Sequence, residues 1–206
     1  FVMADAATMH LWETLDIPSQ VDLYERDKAS RQPPFGSDAP GGVPPMPCFG
    51  EGERLLVTAS THDKWGFRKT ADPTTERVLT RRLYDKVMLH TEDIIEVERY
   101  RLDDAELAVV AYGFTARSAI AAVDMLRDED VKIGLLRLKT LWPFPVAEVE
   151  ELGRQVHGII VPEMNLGQMV YVVRAVADCT VVPYTQMDGT VIYPESIMDT
   201  VRSVLQ

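Results

Sequence analysis

Cysteine and histidine are scarce in this chain. Two cysteines, Cys48 and Cys179, and four histidines stand among 206 residues. Two thiols cannot build a disulfide framework and lie in no metal-ligand spacing, nor can they supply the four thiolates of an iron–sulfur cluster. Reduced thiols in a cytoplasmic protein are the expectation. Long apolar runs are missing too, and nothing approaches the ~20 residues a membrane-spanning helix requires. Phe1-Val2-Met3 has neither the charged start nor the small-residue cleavage site of a signal peptide. A chain opening at Phe1 is expected to be a piece of a longer protein. Basic residues are the minority: 21 Lys and Arg face 32 Asp and Glu, a net charge of −11. Such a polyanion repels phosphate backbones, which argues against nucleic acid as a partner.

What is present is patterned. Phe1-Val2-Met3-Ala4 predicts the end of a strand, and Met9, Leu11, Trp12 and Leu15 a helix after it, broken at Ile17-Pro18. Between Arg26 and Gly52, prolines and glycines crowd out regular structure. A linker over a surface, pinned by Met46, Cys48 and Phe49, fits that composition. Leu55-Leu56-Val57-Thr58 is a strand candidate, and Asp72-Pro73-Thr74-Thr75-Glu76 starts a helix carrying Leu79, Leu83 and Val87. After Tyr100 four apolar strands are predicted at Leu107-Tyr112, Lys132-Leu138, Gly158-Val161 and Thr180-Tyr184. They alternate with amphipathic helices, so the fold class is α/β: an open, mostly parallel sheet with helices on both faces.

Binding loops of such sheets sit at the strands' carboxyl ends. Gly113-Phe114-Thr115-Ala116-Arg117-Ser118 offers a glycine, hydroxyls and a helix start, the parts of a phosphate seat. A plain strand-to-helix turn, which such folds need regardless of ligand, is the preferred reading. Glu163-Met164-Asn165-Leu166-Gly167-Gln168 follows the third strand. Either it is a functional or subunit-contact loop, or Asn165 caps the next helix and Glu163 is solvated. Leu141-Trp142-Pro143-Phe144-Pro145 predicts a packing role, with Met46, Phe49, Trp142 and Phe144 as candidate partner contacts. Thr61-His62-Asp63 places a histidine beside a carboxylate, yet neighbours in sequence rarely face each other and no activated nucleophile adjoins them. A hydrolase triad or a zinc site is not expected.

These stretches, taken together, resemble the alpha subunit of 2-oxoacid:ferredoxin oxidoreductases. Val43-Pro44-Pro45-Met46-Pro47-Cys48-Phe49-Gly50-Glu51-Gly52, Thr61-His62-Asp63, Ala111-Tyr112-Gly113 with Ala116-Arg117-Ser118-Ala119, Gly134-Leu135-Leu136-Arg137 with Leu141-Trp142-Pro143-Phe144-Pro145, and Val161 to Gln168 keep its order. The resemblance implies residues 1–22 as the end of a thiamine pyrimidine-binding domain, 23–54 as linker, and 55–206 as a domain like the C-terminal domain of transketolase. It implies thiamine-dependent decarboxylation of a 2-oxoacid, with electrons passing through iron–sulfur clusters to ferredoxin and coenzyme A as co-substrate. Thiamine diphosphate, magnesium and the clusters are then expected in the assembled enzyme, completed by a beta subunit and the pyrimidine domain, and none on this chain alone. Ferredoxin is expected to dock on the partner holding the clusters. The candidate loop or interface residues are His62, Gly113, Arg117, Glu163, Asn165 and Gln168. A non-catalytic assembly or regulatory module of the same fold is the alternative.

Overall fold

A computed structural model describes residues 4–23, 32–52 and 54–205. The chain divides into two compact units, Phe1–Thr14 with Ile95–Gln206, and Leu15–Ile94.

The first unit is built on a five-stranded sheet. Its strands are β1 (Val97–Tyr100), β2 (Leu107–Tyr112), β3 (Ile133–Leu138), β4 (Gly158–Glu163) and β5 (Thr180–Thr185), in spatial order β1-β3-β2-β4-β5. β2, β3, β4 and β5 pair in parallel, and β1 runs antiparallel to β3 at the edge. The open, mostly parallel sheet expected from the sequence is therefore present. Because strand side chains alternate faces, β2 feeds two cores at once. Leu107, Val109 and Ala111 point to one face, where α4 (Thr115–Asp128) and α7 (Pro194–Leu205) cover them with Ala119, Val123, Leu126, Ile197 and Val201. Ala108 and Val110 point to the other, beneath Val149 and Leu152 of α5 (Val146–Gln155) and Val170 and Val173 of α6 (Met169–Val176). Burial on both faces explains why Leu107–Ala111 of β2 is apolar at every position.

β1 is absent from the sequence reading. At an edge it needs no continuous apolar run, and Val97-Glu98-Arg99-Tyr100 alternates only weakly. Glu98 pairs with Arg137 across the ladder at 3.1 Å. The N-terminal helix is also shorter than predicted. α1 spans Ala6–His10, and residues 11–15 have no regular structure, leaving Trp12 98% exposed. The helical spacing of Met9, Leu11, Trp12 and Leu15 has no apolar surface to pack on. The strand predicted at Phe1-Met3 lies outside the described residues. Of the candidate partner contacts, Phe144 is half-buried against the core cluster that includes Val149 and Val170, whereas Trp142 is exposed.

The second unit contains α2 (Pro73–Met88) and α3 (Thr91–Ile94). Asp72 caps α2, its side chain accepting from the Thr74 amide at 3.0 Å and the Thr75 hydroxyl at 2.7 Å. Pro73 holds the first helical position as predicted. Leu55-Thr58 is not a strand. Leu56 and Val57 are about half-exposed, and without a described strand to pair with, β propensity alone does not hold a ladder. Of the expected pins Met46, Cys48 and Phe49, Met46 ties the segment through its backbone, its amide donating to the Pro34 carbonyl at 3.2 Å. The side chains of all three are exposed, and the buried residues there are Pro34, Gly36, Gly41, Pro44 and Pro47.

Candidate functional site

Strand order places the sheet's switch point between β2 and β4. From β2 the chain crosses to β3 on one side, then returns past β2 to β4 and β5 on the other. Open α/β sheets bind ligands in the crevice at the carboxyl ends of such a strand pair. Here those ends are Tyr112 and Glu163.

Glu163 is a carboxylate with 1% exposure, and its oxygens are fully engaged. Oε1 accepts from the Val170 amide at 2.9 Å. Oε2 accepts from the Met169 amide at 2.8 Å, the Gln168 amide at 3.2 Å, Asn165 Nδ2 at 3.1 Å and the Tyr112 hydroxyl at 3.0 Å. Burial alone would push this carboxyl up. The amides of Met169 and Val170, then the Asn165 and Tyr112 side chains, outweigh it and hold the group below its ordinary value. Burial and the adjacent Glu163 charge push the Tyr112 phenol up to about 12. Asn165 also closes the loop, its Oδ1 accepting from the Gly167 amide at 2.7 Å and the Gln168 amide at 3.1 Å. The two sequence alternatives are thus recast. Capping is present, but Glu163 supplies it to α6 and is buried rather than solvated, while Asn165 shapes the turn. At the crevice, where a ligand anion would meet the helix start, the chain has placed its own carboxylate. Leu166 and Gln168 remain exposed at the loop's tip.

Gly113 and Arg117 stand at the start of α4. Gly113 has φ +55°, and a Cβ there would lie 2.7 Å from Asp5 Oδ2. That oxygen accepts from the Phe114 amide at 2.8 Å, so this helix start also faces a carboxylate of the chain. Arg117 pairs with Glu13. A cleft of about 650 Å³ opens here, lined by Asp5, Thr8, Tyr112, Gly113, Arg117 and Lys139 among others. Gly113, Arg117, Glu163 and Asn165 thus cluster around the ends of β2 and β4. His62 belongs to the other unit, against the Phe35 ring with Nδ1 3.1 Å from the Asp63 carbonyl. Asp63 does not orient His62; its carboxylate accepts from the amides of Trp65 and Phe67 and holds their turn. Sequence reasoning passed over Tyr112 and Asp5. Tyr112 carries the one usable signal, a hydroxyl ending an otherwise wholly apolar strand.

Residues 105–197 match the model of pyruvate:ferredoxin oxidoreductase core domain II. The 2-oxoglutarate synthase subunit KorA of Methanothermobacter thermautotrophicus is 36% identical over 96% of this chain and 54% of its own length. The ketoisovalerate oxidoreductase subunit VorB of the same organism is 36% identical over 59% of this chain and 35% of its own. A 2-oxoglutarate:ferredoxin oxidoreductase from Magnetococcus marinus, solved with 2-oxoglutarate, coenzyme A and succinyl-CoA bound, superposes with a TM-score of 0.72 at 26% identity, covering 81% of this chain and 29% of that one. The chain belongs to the 2-oxoacid:ferredoxin oxidoreductase family. It spans about half the length of the KorA relative.

That family uses thiamine diphosphate and iron–sulfur clusters. The residues described here do not fit either group. A four-thiolate cluster outnumbers the two cysteines of the chain. Among the described residues no three His, Cys, Asp or Glu come together as metal ligands, and the two helix starts at the crevice already face carboxylates. No described helix is long and apolar enough to cross a membrane.

Proposed function

We propose that this chain is the scaffold part of the alpha subunit of a 2-oxoacid:ferredoxin oxidoreductase. In the assembled enzyme a 2-oxoacid is decarboxylated on thiamine diphosphate held with magnesium, electrons leave through iron–sulfur clusters to ferredoxin, and coenzyme A takes the acyl group. Residues 1–22 close the pyrimidine-binding domain, 23–54 link, and 55–206 form the domain that follows. The beta subunit and the pyrimidine domain complete the thiamine site, and the enzyme works in the cytoplasm. Ferredoxin docks on the cluster-bearing partner, because a chain of net charge −11 repels an acidic protein.

One observation carries the scaffold assignment. Glu163 spends its carboxylate on five groups of its own chain, which supports a role in holding the 164–168 loop rather than in seizing a ligand. His62, Gly113, Arg117, Asn165 and Gln168 then serve shape and contact.

The test is reconstitution. Co-expressed with its beta subunit and the pyrimidine-domain portion, the chain should co-purify and support coenzyme A-dependent reduction of an electron acceptor. 2-Oxoglutarate and 2-oxoisovalerate are the substrates to compare, after the KorA and VorB relatives. Turnover by this chain alone with thiamine diphosphate and magnesium would sink the proposal, as would full activity of a complex lacking it.

A further inference from the structure

The start of α4 serves a purpose that the family reading leaves open. Residues 4–14 belong to the same compact unit as the sheet, yet apolar burial does not hold them there. α1 buries no residue, Met9 is 67% exposed and Trp12 98%. Two carboxylates do the holding. Asp5 Oδ2 accepts from the Phe114 amide at 2.8 Å, and Glu13 Oε1 lies 2.5 Å from Arg117 Nη2. The receiving side is shaped for both. Gly113 has no Cβ where one would come within 2.7 Å of the Asp5 oxygen. Arg117 lies 5.9 Å over the Phe114 ring, next to the amide that Asp5 engages. Ala4, Asp5 and Thr8 line one cleft together with Tyr112, Gly113, Phe114 and Arg117.

We infer that the Gly113–Arg117 turn is a docking seat for the chain's own segment 4–14, with Asp5 and Glu13 as a two-point latch. The turn that resembles a phosphate seat is an internal receptor, and its occupant is a carboxylate. Free amides and one cation suit any small anion, so the latch doubles as a plug. Gly113 is needed for approach as well as for its positive φ, and Arg117 sets which segment docks. The inference concerns contacts inside one unit and does not depend on the scaffold reading. It would hold equally in a non-catalytic homologue.

Asp5→Ala, Glu13→Gln and Arg117→Ala variants of the chain test it. Two readouts follow segment 4–14 directly: the amide proton shift of Phe114, and the rate of limited proteolysis within residues 6–14. Asp5→Ala should move the Phe114 amide upfield and speed cleavage about fivefold, the loss of one charged cap. Glu13→Gln and Arg117→Ala should give equal, smaller increases, and the double variant no more than either single one. The Val170 amide, bound to Glu163, should not shift in any of them. Inorganic phosphate should restore the downfield Phe114 shift in Asp5→Ala without slowing proteolysis, since it fills the seat but brings no segment. Should Asp5→Ala not fold, Glu13→Gln and Arg117→Ala still report on the second point of the latch. Unchanged cleavage in both Asp5→Ala and Arg117→Ala, or additive effects in the Glu13/Arg117 double variant, would overturn the latch.

Discussion

At the scale of the residue, Glu163 concentrates the chemistry of the sheet. Five donors converge on it, two of them the first amides of α6, and a buried carboxylate so bound is stable only while charged. Glu163→Gln keeps the shape but turns an NH₂ group toward amide donors. The expected cost is about 2–3 kcal/mol, since both a charged cap and donor satisfaction are lost. Asn165→Ala leaves the α6 cap in place and should cost about 1 kcal/mol. Urea denaturation of the two variants measures the difference, and equal losses would contradict the division of labour. The pH profile carries the same information. A carboxyl held below its unfolded value gives stability above that value and loses it as pH falls through the lowered one. Thermal midpoints of the parent should therefore fall with acidification below about pH 4.5, and Glu163→Gln should flatten part of that fall. The sequence showed the polar cluster but not its wiring. Glu163 is next to a proline in a strand otherwise read as ending at Val161, and nothing in a one-dimensional pattern says that Tyr112, 51 residues away, will meet it. Asp5 is harder still, because its partner amide lies 109 positions on.

Among elements, legibility followed burial. The four parallel strands and their helices were readable because each strand carries an apolar run and each helix one apolar face, so local pattern and tertiary environment agree. β1 and the failed strand at Leu55-Thr58 mark the opposite case. An edge strand needs only backbone pairing on one side, and a β-prone run with no partner forms nothing. The end of helix α4 has its own residue-level cost. It ends with the Val131 amide donating to the Leu126 carbonyl and the Asp130 amide donating to the Arg127 carbonyl. Asp130 sits at φ +61°, the position that favours glycine. Val131 packs on the core beside Leu126, completing that helix stop. An aspartate there carries the strain of a left-handed conformation and places a negative charge at the negative end of the helix dipole. Asp130→Gly should accordingly stabilise the chain by about 0.5–1 kcal/mol, read as a rise in the denaturation midpoint at unchanged slope. A loss of stability would mean that Asp130 makes a favourable interaction that outweighs its backbone.

For the whole molecule the two units differ in kind. The sheet unit buries aliphatic side chains on both faces of its strands. Between Leu15 and Ile94 not one described aliphatic, aromatic or methionine side chain is buried; the buried residues are prolines and glycines such as Pro34, Gly36, Gly41, Pro44 and Gly66. Helix α2 buries nothing along 16 residues, and Val78, Leu83 and Tyr84 stand about half-exposed. Its Asp72 cap and the Arg81–Asp85 pair hold its local geometry, but exposed pairs and caps do not offset the conformational entropy of some 80 residues, at ~1–2 kcal/mol each for the backbone alone. Among its described residues the second unit therefore shows no apolar core from which to draw its stability. Hydrogen exchange should separate the two in the isolated chain. Amides of β2, β3 and β4 should open only with global unfolding, while those of α2 should exchange at least about 100-fold faster by local opening. Under the proposed function, the companion subunits supply the missing apolar cover, and α2 should gain protection on assembly while the sheet does not change. Protection of α2 equal to that of β2 in the chain alone would show that the unit is stable unaided, and the requirement for cover would fall with it.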